Sequence, residues 1–182
     1  MEIDFRKNLV FLYHVIVASE SLLIQAARRA KSGALADFFT RHLREERDHD
    51  RWLEEDLLSL GIVAKRTAVP IEAVEMVGFV YYFVMHVDAC CLLGYMLLLE
   101  GTPWSIERIE QYEARFGKAA LRTLRHHAEH DPAHAKAVRA TIETLTPMQK
   151  RLVAQTFKQC LKYLGRAVEA MQILEEKPCL SH

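Results

Sequence analysis

Residues 76–101 read MVGFVYYFVMHVDACCLLGYMLLLEG, and the choice between a membrane span and a buried core helix here decides the fold. The stretch is apolar almost throughout and long enough to cross the hydrocarbon core of a bilayer. However, His86 and Asp88 fall near its middle, and Glu72, Glu75 and Glu100 flank it with no adjacent Lys or Arg. A membrane helix favours a charge-free centre and basic or aromatic anchors at its ends. A helix that is apolar on every side is otherwise the central helix of a soluble bundle. The chain is therefore expected to be soluble, with no membrane partner.

Working outward, Gly and Pro punctuate the chain at plausible helix ends. Pro70 opens the apolar helix at its first turn, and Gly101-Thr102-Pro103 closes it after Glu100. Upstream, one helix is expected from about Asp4 to Ala30, stopping at Lys31-Ser32-Gly33, and a second from about Ala34 to Leu60, ending on Gly61. Gly61 to Val69 reads as a loop. Downstream, Trp104 to Phe116 forms a shorter helix that meets Gly117, and another leads into a histidine-rich segment. There Asp131-Pro132 is expected to kink or restart the helix, because proline lacks the N–H that a helix interior needs. Thr146-Pro147 supplies a capping residue and a first-turn proline for a last long helix that ends near Glu176. No alternation of apolar and polar residues suggests strands. The expected class is all-α, with about seven helices.

The 182 residues fit one domain, expected over residues 1–176 with a tail at 177–182. Lys plus Arg and Asp plus Glu both total 24, giving a formal net charge of zero, and no basic patch points to nucleic acid. The densest charge, Arg41 to Asp56, mixes both signs and reads as a helix face. Cys90, Cys91, Cys160 and Cys179 show no framework spacing, and MEIDFRKN lacks the layout of a signal peptide. Both features lead to the expectation of a reducing, cytoplasmic location.

The chemistry concentrates in three places. His126, His127, His130 and His134 fall within nine residues. At 100° per helical residue, His127, Asp131 and His134 share one face within about 60°, and mixed nitrogen and oxygen ligands suit iron, manganese or zinc. A solvated polar face beside Arg125 and Lys136 is the bland alternative. Helix two carries Glu46-Arg47-Asp48-His49, an i, i+3 carboxylate–imidazole pair of the kind used in bundle-core di-iron sites. Glu45 and His42 share nearly the same face, so which side chain completes this group stays open. Glu100 ends the apolar run; a lone carboxylate there is costly to bury unless it is paired or ligates a metal. Three helices would then supply three carboxylates and three imidazoles, enough for two metal ions.

The ordered combination of Glu46–His49, the segment Gly94-Tyr95-Met96-Leu97-Leu98-Leu99-Glu100-Gly101, and His127-x-x-x-Asp131-x-x-His134 resembles the haem-oxygenase-like di-iron oxidases. That family is related in fold to the TenA thiaminases and to the quinone-cofactor synthase PqqC. The resemblance covers about Phe5 to Met171. It implies a single haem-oxygenase-like helical domain. It also implies a pair of Fe(II) ions held by Glu46, His49, Glu100, His127, Asp131 and His134, with Glu46 and Glu100 the carboxylates closest to the chemistry. Dioxygen would be co-substrate for oxidation of a small organic molecule, by C–C cleavage or N-oxygenation, and manganese would suit the same ligands. Some members add a first-helix glutamate, for which Glu20 is the candidate. His42 stands seven residues before His49, where some members place a glutamate. A homodimer is compatible with the long apolar helices.

Two other classes compete. A TenA-like hydrolase needs a nucleophilic cysteine, and a haem oxygenase needs an axial histidine on the first helix, where His14 is available. A non-enzymatic helical protein that binds metal or a partner is the third reading.

Overall fold

The computed structural model describes residues 3–172, in eight α-helices and no strand among them. These are α1 (Phe5–Arg29), α2 (Gly33–Glu45), α3 (His49–Ser59), α4 (Ile71–His86), α5 (Leu92–Gly101), α6 (Ile106–Phe116), α7 (Arg122–Glu143) and α8 (Pro147–Ala170). Single 3₁₀ turns at Ala64–Arg66, Ala89–Cys91 and Lys118–Ala120 fill three of the connections. An isolated bridge between Ile3 and Gln172 ties the start of the bundle to the end of α8. The expected helix end near Glu176, the tail at 177–182 and Cys179 lie outside the described residues.

Local chemistry sets the ends. Asp4 accepts from the N–H groups of Arg6 and Lys7 to start α1, and Ser32 accepts from Leu35 to start α2. Thr146 and Gln149 form a capping box ahead of α8, with Pro147 at its first position. The N-terminus of α7 has no cap of its own. Asp56, fully buried on α3, instead takes the Thr123 N–H at 2.9 Å and so registers α3 against α7.

Three helix boundaries differ from those the sequence suggested. Helix two is broken at residues 46–48, giving α2 and α3. The apolar helix is broken at Val87-Asp88, where the Asp88 carboxylate caps the next turn by accepting from Cys90 N–H at 3.0 Å. The result is one helix of 16 residues and one of 10, both short of the roughly 20 that a membrane span requires. Conversely, Pro132 sits inside an unbroken 22-residue α7. One of the described helices, α1, is by itself long and apolar enough to cross a membrane. Its Phe11, Val15, Leu22 and Ala26 belong to the main core.

α5 is the centre of the bundle, with Leu92, Leu93, Tyr95, Met96 and Leu98 all buried, packed between α7 and α8. At Gly94, α5 lies tight against Val153, Thr156 and Phe157 of α8. A second apolar cluster, built on Phe5, Leu9, Leu53, Leu57, Ile109 and Leu121, closes the bundle at the α6 end.

Candidate metal centre

Two groups of potential ligands meet in the bundle interior. In one, His42 from α2, Glu100 from α5 and His134 from α7 offer atoms that all lie within 4.8 Å of one another. In the other, Glu46, His49 and His127 do the same. Glu46 stands between the groups. Its Oε2 lies 2.9 Å from His49 Nδ1, while its Oε1 lies 3.7 Å from His42 Nε2 and 3.8 Å from His134 Nδ1.

The backbone break after α2 produces this placement. Glu46 caps α2, His49 is the first residue of α3, and Asp48 between them is in the left-handed region at φ 68°. It is the single non-glycine residue with positive φ among the described residues. Left-handed backbone costs an L-residue about 1–2 kcal/mol, least for Asn and Asp. Asp48→Gly is therefore expected to hold or raise the melting temperature. Asp48→Val is expected to lower it by several degrees, since a β-branched residue fits that backbone poorly; thermal denaturation checks both.

Of the residues anticipated from sequence, five come together directly: Glu46, His49, Glu100, His127 and His134. Asp131 is buried beside them but belongs to neither group; its Oδ1 lies 2.9 Å from His127 Nδ1. In that position it fixes the ring and leaves His127 Nε2 turned inward, as a carboxylate behind a ligating histidine does. His42, anticipated as an extra, is a full member, with Nε2 3.0 Å from Glu100 Oε1. Its signal was legible as i, i+4 spacing to Glu46. Glu20, the candidate first-helix glutamate, is exposed on α1 and lies in neither group, while its neighbour Ser19 lines the cavity. Glu45 is half out in solvent, 3.6 Å from His42 and 3.7 Å from His134.

The electrostatics favour cation binding. Burial raises the Glu46 carboxyl, but the His49 bond and the His127, His49 and His42 rings outweigh it and hold the pKa at about 2. Burial pushes Glu100 upward, only partly offset by the His42 hydrogen bond. His42 and His127 are disfavoured as cations by burial, yet both rise because Glu100 and Asp131 respectively bond to them. Glu100 Oε2, His127 Nε2 and His134 Nδ1 are buried without a hydrogen-bond partner. Orphaned buried polar atoms are costly and uncommon; three among the two ligand groups, all good donors to a metal, fit a cation-holding site.

A cavity of 410 Å³ opens onto both groups, within the usual size range for small-molecule sites. His42, Glu46, Glu100, His127 and Asp131 form part of its wall. Cys90, Cys91 and Cys160 are fully buried elsewhere in the core and none lines it. His14 does not line it either, and bonds Thr67 Oγ1 at 3.0 Å.

The family model described as iron-containing redox enzyme matches residues 9–165. No curated protein matches the chain. A domain of unknown function with a haem-oxygenase-like fold, from Shewanella denitrificans, superposes with a TM-score of 0.72 at 17% identity, covering 92% of this chain and 76% of that one. A TenA homologue from Pseudomonas syringae pv. tomato superposes with a TM-score of 0.68 at 12% identity, covering 90% of this chain and 76% of its own. At those identities the likeness establishes the fold, which is haem-oxygenase-like.

Proposed function

The chain belongs to the iron-containing redox enzyme family, and from that premise we propose that it is a non-haem di-iron oxidase acting on a small organic substrate. One observation carries the reading: two sets of three ligand atoms, each within 4.8 Å, with the two oxygens of Glu46 facing different sets. His42, Glu100 and His134 would hold one iron, Glu46, His49 and His127 the other, with Glu46 able to serve both. Bound iron would supply the electrons for dioxygen reduction.

The protein's own residues do the rest. Asp131 holds the Nδ1 proton of His127 and so keeps the Nε2 lone pair for the metal. Asp131 thereby supports the site without needing to ligate. Glu46, ionised well below neutral pH, supplies negative charge in a site that Leu99, Val15 and Ile16 keep apolar. These side chains exclude water from the space where substrate lies.

A TenA-like hydrolase is disfavoured by cysteines that do not reach the cavity, and a haem enzyme by the position of His14. The test is anaerobic loading with Fe(II), iron counting, and measurement of dioxygen consumption. Uptake of about two irons per chain, reduced by His127→Ala and by Glu100→Ala, is expected. Absence of iron uptake, or uptake that neither substitution changes, would refute the reading.

A further inference from the structure

Two histidines of the histidine-rich segment, His126 and His130, belong to neither ligand group and do not line the cavity. They stand four residues apart on α7, so their side chains lie one above the other on one helix face. The rings stack with centroids 4.0 Å apart and planes inclined by 19°. His130 is exposed and His126 half-buried. His130 Nδ1 lies 2.8 Å from the His126 carbonyl oxygen. A carbonyl only accepts, so in the neutral ring Nδ1 carries the proton and the Nε2 lone pair is left for another partner. Metal-ligating histidines are commonly fixed in this way, through the nitrogen that does not ligate.

On its inner side the pair reaches the second ligand group. The His126 ring meets the His49 ring edge-on at 5.3 Å and the His127 ring at 6.1 Å. Trp52 packs against both, 4.5 Å from His49 and 5.0 Å from His126. Imidazoles therefore follow one another from solvent at His130 to the buried Glu46, His49 and His127. The neighbouring cations are already neutralised. Arg125 is committed to Glu113 through two bonds of 2.8 Å, and Arg122 to Glu55 through one of 2.6 Å.

We propose that His126 and His130 form an outer site for a divalent cation, from which the ion passes to Glu46, His49 and His127. Two imidazoles at i, i+4 on one helix face have the spacing that chelates such an ion. A modest turn of the half-buried His126 ring brings a nitrogen of each to it. The outer pair offers two ligands and no carboxylate, so it holds a cation more weakly than the buried group does and can release it inward. Metal entry and substrate binding then use different faces, since neither ring borders the cavity. The inward passage rests on the reading of the buried groups as metal-holding.

The first probe is Ni(II), which nitrogen ligands bind more tightly than Fe(II), titrated by calorimetry into metal-free protein. The unsubstituted chain is expected to take about one equivalent more than His130→Ala. Glu46→Ala should keep that His130-dependent equivalent, because it alters only the buried groups. The second measurement times anaerobic Fe(II) uptake by rapid desalting and iron counting. His130→Ala should slow uptake by at least about tenfold, since losing a ligand costs no less affinity than losing an outer partner, and should leave the final iron content unchanged. His130 is exposed, so the fold is not threatened. His86→Ala is the control, removing an exposed histidine packed on Tyr82 of α4. Equal Ni(II) capacity with and without His130 would overturn the outer site. An unchanged uptake rate, equal slowing by His86→Ala, or a lower final iron content in His130→Ala would overturn the passage. An unsubstituted chain that takes up no iron sinks the di-iron reading and the passage with it, while Ni(II) held through His130 leaves the outer site standing.

Discussion

Glu46→Ala is expected to drop iron content from about two per chain to one or fewer, and to lower the rate of dioxygen consumption by at least ~100-fold, beyond what loss of an outer partner costs. The substitution removes the one carboxylate from the group containing His49 and His127, leaving two imidazoles. It also removes the oxygen that faces His42 and His134. Glu45→Ala is the matched control. That carboxylate reaches the same histidines at 3.6 and 3.7 Å but is 43% exposed, so its loss is expected to change iron content little. Asp131→Ala should fall between them, since it frees the His127 ring without deleting a donor; about 10–100-fold in metal affinity is the usual scale. Circular dichroism before loading confirms that each variant is folded. Iron content unchanged in Glu46→Ala would remove the basis for assigning two ions to these groups.

Gly94→Ala should be the most damaging small substitution in the bundle. A Cβ there would meet Val153 O at 2.5 Å and Phe157 N at 2.7 Å, and Thr156 Oγ1 closer still. Two of these three are backbone atoms of α8, which cannot rotate away, so the helices must separate. Overpacking of a tight core costs typically 1–3 kcal/mol, and a clash with backbone belongs at about the top of that range. For a domain of this length, about 3 kcal/mol corresponds to a melting temperature lower by ~6–12 °C. Glu100 follows Gly94 on the same helix, so iron uptake should weaken as well. Gly78→Ala is the control, because nothing lies within 4 Å of its added methyl. A Gly94→Ala protein melting with the wild type would show that α5 and α8 are less tightly joined than described.

The sequence made some of this legible and hid the rest for identifiable reasons. His127, Asp131 and His134 share a face because helical geometry is regular, and α7 stays regular through Pro132. The missing N–H there costs one hydrogen bond, which a 22-residue packed helix tolerates. Glu100 was conspicuous because a carboxylate after Leu97-Leu98-Leu99 needs a partner, and His42 is that partner. The break at Asp48 carried no glycine or proline to announce it; there an aspartate in the left-handed region puts Glu46 and His49 on different helices. The break at Val87-Asp88 did carry a signal, since an aspartate inside an apolar run is a natural cap. Asp131 was assigned by spacing to the metals, and spacing alone does not distinguish a carboxylate that ligates from one that holds a ligating ring.

The ligand groups also have a meaning for the chain as a polymer. His42, Glu100 and His134 are far apart in sequence, so a cation joining them closes loops of 58 residues (42 to 100) and 34 residues (100 to 134). Closing such loops in an unfolded chain is entropically costly, and the unfolded chain has no preformed site. Metal capture would therefore add to a stability that apolar packing already supplies. Iron held there would, by mass action, raise the melting temperature as free ion exceeds the dissociation constant. A bundle that holds its own helices together by apolar packing would thus acquire, from six polar side chains, a second and reversible set of cross-links.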